Sequence, residues 1–235
     1  MKSNHKDFRD NLRDNLIPWG YRSAFAACFF NGVWIGCMIF LQTLGDVSIQ
    51  AQSQPGIFRL SVGSALLLTM MQIPILLATV TLVLRQAPTS AIIGGTFYTL
   101  YIPINLISYY TYGRLAPMIH SEPLSSKEGA LLIAGMIEIG HDFGIIGNLP
   151  ILGYGLLGIA WCLLAPALWR RNGFWKITSG FLLVSGLLSF LGAVGSFIDI
   201  DWLTSCCFIG GIVSFPALAL LGLALLQETQ RNHAA

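Results

Sequence analysis

Charge is what this chain has least of. Only 10% of its 235 residues are Asp, Glu, Lys or Arg, against about 25% in an ordinary soluble domain. That shortage excludes a water-solvated globular domain. The net charge of +2, spread over short loops, leaves no basic surface for nucleic acid. Histidine is scarce as well, with only His5, His120, His141 and His233. The five cysteines (Cys28, Cys37, Cys162, Cys206 and Cys207) form no C-x-x-C pair and are odd in number. They identify neither a disulfide framework nor a redox compartment, and those inside apolar runs behave as small hydrophobes. H-E-x-x-H, G-x-S-x-G and phosphate-binding glycine loops are missing too, as are haem-ligating histidine pairs and a conducting-filter motif. No cofactor is named by any motif, and a non-enzymatic role leads. The first 23 residues contain no short apolar region before an A-x-A-like site, so a cleavable leader is not expected.

What the chain has instead is apolar length. Hydrophobic residues make up 54% and the mean hydropathy is +0.68. Six runs are long enough for helices across a bilayer core, which takes about 20 residues: Ala24–Leu44, Leu60–Leu84, Ala91–Tyr112, Ile151–Trp169, Ile177–Phe197 and Cys206–Leu226. The expected fold is therefore all-α, one transmembrane domain over 1–235 with six helices in a single bundle. Residues 1–22 place Phe8, Leu12 and Leu16 at fourfold spacing, with Trp19 and Tyr21 after Pro18. They read as a cytoplasmic amphipathic helix at the interface.

Charge placement sets the number of crossings. With six spans and both termini inside, ten of the thirteen Lys and Arg residues fall on the inner side, leaving Arg59, Arg114 and Lys127 outside. Counting 129–147 as a seventh span would move Arg170, Arg171, Lys176 and Arg231 outside and erase that bias. The segment also carries Glu138, His141 and Asp142, and an acidic or basic side chain at a helix centre costs roughly 2.5–3.5 kcal/mol. Residues 124–149 are therefore expected to lie along the outer interface or to re-enter partway. Seven of the eleven acids, among them Asp199 and Asp201, then fall at the outer mouth. Asp201 suits the first turn of the last helix, where the macrodipole favours negative charge.

Glu138, His141 and Asp142 would share one helix face, and E-x-x-H is a spacing used by metal-binding bundles. The second E-x-x-H that such sites need is absent, so a metal-dependent membrane enzyme built on these residues is the runner-up. As a ligand or proton site, the trio joins a second set in the spans: Tyr101 and Asn105 on one face of the third helix, and Gln72 beside Pro74 in the second. Buried polar groups in lipid need partners. Asn105 is expected to face inward toward Asn31 and Gln72, lining a small polar cavity or joining helices. Tyr109 to Tyr112 read as an outer aromatic belt. The expected partners are the bilayer and a small solute or lipid. Small-xxx-small pairs such as Gly32/Gly36 and Gly192/Ser196 explain close helix packing and allow oligomers.

From Leu149 to Gly195 the chain resembles a group of uncharacterised, mostly bacterial, six-helix membrane proteins. The shared features are Gly153–Tyr154, the basic turn at Arg170–Arg171, and the glycine-rich helix from Gly180 to Gly195. The resemblance implies a bacterial cytoplasmic membrane, no assigned activity, and no functional residue to carry over.

Overall fold

The computed structural model describes residues 3–44, 50, 51, 53–118, 136 and 145–234. Among these, every regular element is helical. The long helices are α1 (Ser3–Gln42), α2 (Pro55–Leu84), α3 (Pro88–Leu115), α4 (Ile145–Leu168), α5 (Trp175–Phe197) and α6 (Asp201–Ala234), with one 3₁₀ turn at Ala116–Met118. Six segments are long and apolar enough to cross a membrane: Asn15–Gln42, Pro55–Leu84, Pro88–Leu115, Asn148–Leu168, Trp175–Phe197 and Asp201–Arg231. The chain has the architecture of a multi-pass membrane protein.

The helices outrun the apolar stretches that signal them, because their polar ends stay helical beyond the hydrophobic core. The largest difference is at the N-terminus. Residues 3–42 form one continuous helix through Pro18, so the polar leading segment and the first span are a single element. Packing holds them together. Ile17 is fully buried, and a Cβ added at Gly20 would lie 2.5 Å from that of Ala78 on α2.

Pro55 and Pro88 occupy the first turns of α2 and α3, where the missing N–H has no partner to lose. At the α5–α6 turn Asp199 adopts the left-handed conformation, φ 57°. The Ile200 N–H then bonds back to Gly195 C=O at 2.9 Å, satisfying a carbonyl at the end of α5. Asp201 follows in the first turn of α6, as its position suggests.

Each helix packs against its sequence neighbours, and α6 returns to pack against α1. The bundle is thus a closed ring around one axis. Its faces are sorted as lipid requires. On α2, Leu67, Met70, Ile73 and Leu77 are exposed, while Ser61, Ser64, Thr69 and Gln72 are buried. Close approach depends on small residues: a Cβ on Gly186 of α5 would lie 2.9 Å from Gly158 C=O of α4. Ring closure places the polar inner faces of all six helices on the axis.

Candidate functional site

α3 supplies the longest inward ridge. Tyr98, Tyr101, Asn105, Tyr109 and Tyr112 recur at spacings of three and four, and the first four are buried. Opposite them α4 brings Tyr154 and Trp161, α1 brings Asn31 and Trp34, and α6 brings Ser214. At mid-bundle these surround a void of about 30 Å³ to which every helix contributes. Gln72, Tyr101, Tyr154, Ser185 and Ser189 also line it. A void of that size holds about two waters.

Toward the end away from the termini the axis widens into a vestibule of about 320 Å³. Its wall is mostly apolar and aromatic (Met38, Phe58, Tyr109, Tyr112 and Phe208 among others), with Gln42, Gln50, Ser61, Thr204 and Ser205 as polar points. Trp34 and Tyr154 line both chambers, their ring centroids 6.4 Å apart. Phe208 lies 6.5 Å from Trp34, and Tyr101 lies 6.0 Å from Tyr154. This aromatic layer separates the vestibule from the inner void.

Hydrogen bonds fix the polar side chains to different helices. Asn31 Nδ2 donates to Ser214 Oγ at 2.8 Å and to Gly211 C=O at 3.2 Å, joining α1 to α6. The Tyr98 hydroxyl donates to Gln72 Oε1, joining α3 to α2. Ser185 Oγ donates to Gly210 C=O at 2.9 Å. The Tyr109 and Tyr154 hydroxyls pair at 2.9 Å. Asn105 differs: it is fully buried, and neither amide atom has a partner in good hydrogen-bond geometry, the Tyr101 hydroxyl one turn away being a polar group within its reach. Its Oδ1 faces Gly153, next to Tyr154. On α3 it stands one turn from Tyr101 of the inner void and one turn from Tyr109 of the vestibule, at the level of the aromatic layer. Among the described residues, none that lines either chamber is charged.

The site residues expected from sequence sort into two groups. Gln72 and Tyr101 meet at the inner void, and Asn105 lies buried beside it on α3. Asn31 and Gln72 do not bond to Asn105; each has a partner elsewhere. Glu138, His141 and Asp142 lie outside the described residues, and among the described residues no three His, Cys, Asp or Glu side chains come together as metal ligands. The metal-enzyme reading therefore has no geometric support. The tyrosines at the end of α3 divide. Tyr110 is 62% exposed, as a belt residue is, whereas Tyr109 is buried and faces the axis. Trp34 and Ser214 are not picked out from the sequence, and Tyr109 and Tyr154 read there only as a belt residue and as part of a shared Gly-Tyr pair. For Tyr109 the signal was available in the spacing that continues from Tyr101 through Asn105.

A second polar cluster closes the termini-bearing end. Arg171 in the α4–α5 turn pairs with Glu228 of α6 at 2.9 Å, with side chains 15% and 10% exposed. Its guanidinium lies 5.8 Å from the centre of the Trp175 ring. Gln86 completes the cluster, its amide oriented to donate to Ala167 C=O at 3.1 Å and accept from Arg171 Nε at 3.3 Å.

No protein-family model matches this chain, nor does any curated protein or solved structure.

Proposed function

We propose that this chain is a non-enzymatic protein of the bacterial cytoplasmic membrane that binds a small uncharged solute in the vestibule and moves it along the polar axis. One observation carries the reading: polar side chains from the ring of six helices converge on one axis beneath a vestibule, and among the described residues none of those lining it is charged. Hydroxyls, amides and backbone carbonyls offer donors and acceptors to a neutral molecule, whereas an ion would meet no compensating charge at a depth where that is costly. The vestibule, about 320 Å³, lies at the lower end of the range for small-molecule sites, roughly 300–1,000 Å³, and has their usual mostly apolar wall with a few polar points. The positive-inside bias supports both termini in the cytoplasm, which turns the vestibule outward. In this arrangement the Trp34–Tyr154 layer acts as the constriction, and the Asn105 amide, buried behind it, supports the polar path at that level.

The test is solute flux into proteoliposomes after an osmotic step, with urea, acetamide and glycerol as the panel. At least one solute should enter faster than into protein-free vesicles. Trp34→Ala should change that rate while the protein remains monodisperse. Rates equal to protein-free vesicles for the whole panel would reject transport of small neutral solutes.

A further inference from the structure

A groove between α2 and α3 opens on the outside of the ring, at the end away from the termini. It has a volume of about 220 Å³ and is lined by Phe58, Arg59, Val62, Gly63, Leu66, Tyr110, Gly113 and Arg114. The lining follows helical spacing: Arg59, Val62, Gly63 and Leu66 share one face of α2, and Tyr110, Gly113 and Arg114 share one face of α3. The two helices touch at its floor, where a Cβ on Gly113 would lie 2.7 Å from Val62 Cγ1. Beside that contact the groove stays open, since a Cβ on Gly63 would meet nothing within 4 Å.

Charge distinguishes this groove from an ordinary crease on a lipid-facing surface. Arg59 and Arg114 are both exposed, and neither forms an ion pair among the described residues. The other charged residues described at this end of the bundle are Asp199 and Asp201, at the α5–α6 turn. In a six-membered ring that turn lies across from the α2–α3 seam, so among the described residues no carboxylate stands beside the two arginines. A lone arginine near a helix end snorkels into the headgroup layer and needs no further account. Here two arginines from different helices flank one apolar slot, and the half-exposed ring of Tyr110 lies beside them. Tyrosine favours that depth because its ring is apolar and its hydroxyl wet.

We propose that the α2–α3 groove binds one anionic phospholipid, its phosphate held between Arg59 and Arg114 and an acyl chain lying along Val62, Gly63 and Leu66. The guanidinium matches phosphate with two parallel donors and holds it more firmly than an ammonium does. The two positive charges favour a headgroup of net negative charge over a zwitterionic one.

Native mass spectrometry of the detergent-solubilised full chain, offered phosphatidylglycerol or phosphatidylcholine at equal concentration, tests this. The wild type should retain phosphatidylglycerol about tenfold better. Arg59→Gln and Arg114→Gln should each remove part of that preference, and the double variant should abolish it. Gly63→Leu, which fills the slot without touching the charges, should lower retention of both lipids. Equal retention of the two lipids by the wild type would overturn the proposal, as would a preference that survives in the double arginine variant. Unchanged retention in Gly63→Leu would overturn the placement of the chain.

Discussion

Asn105 is where a single residue says most. Its amide is fully buried with no partner in good hydrogen-bond geometry, a condition that costs up to about 1–3 kcal/mol. A protein selected for stability alone would place leucine there, which has nearly the same shape. Asn105→Leu is therefore expected to leave thermal stability in detergent unchanged or to raise it by up to about 1 kcal/mol, while lowering solute entry in proteoliposomes. A destabilised variant would mean that the amide serves structure. The sequence marks Asn105 as a polar residue at mid-span that must face inward, since helical spacing from Tyr101 is a local property. It does not say which groups face it: Asn31 and Gln72 find partners on α6 and α3 instead, and Gly153 is what stands opposite.

Among the elements, α4 and α5 approach closely, and glycine makes it feasible. A Cβ on Gly158 would fall 2.8 Å from Phe190 N, with Gly186 C=O nearer still, so even a methyl group must push two backbones apart. Gly158→Ala should cost roughly 1–3 kcal/mol, read as a lower unfolding midpoint, and should enlarge the inner void that both helices line. Gly36→Ala, with open space around its Cβ, is the matched control and should be close to neutral. The small-residue spacing of α5 is visible in the sequence, whereas the choice of Gly158 over Gly153 as its facing residue on α4 depends on how α4 is rotated. The rotation of α3 likewise explains why Tyr109 and Tyr110, adjacent in the chain, end up respectively on the axis and in the lipid-facing layer.

For the molecule as a whole, the ring has an open end and a fastened one. The vestibule end is wide and aromatic, and among its described residues the arginines stand on the α2–α3 side and the aspartates across from them. The termini-bearing end is cross-linked by Arg171, Glu228 and Gln86, which tie the α4–α5 turn to α6 and to the end of α2. Arg171→Gln should remove the 2.9 Å ion pair with Glu228 from a poorly hydrated site and cost about 3 kcal/mol. Pairing it with Glu228→Gln should restore most of that loss, measured by denaturation in mixed micelles. A multi-pass helical membrane architecture and six segments able to cross a bilayer were legible along the chain. Both follow from local quantities: apolar length along the chain, and the requirement that backbone donors and acceptors be satisfied within each segment in lipid. Only the tertiary structure decided that the helices close into a ring, that neutral polar groups gather on its axis, and that two arginines share one groove. Those facts rest on contacts such as Asn31 with Gly211, 180 residues apart. They depend on how each helix is turned about its own axis, and packing against neighbours sets that angle.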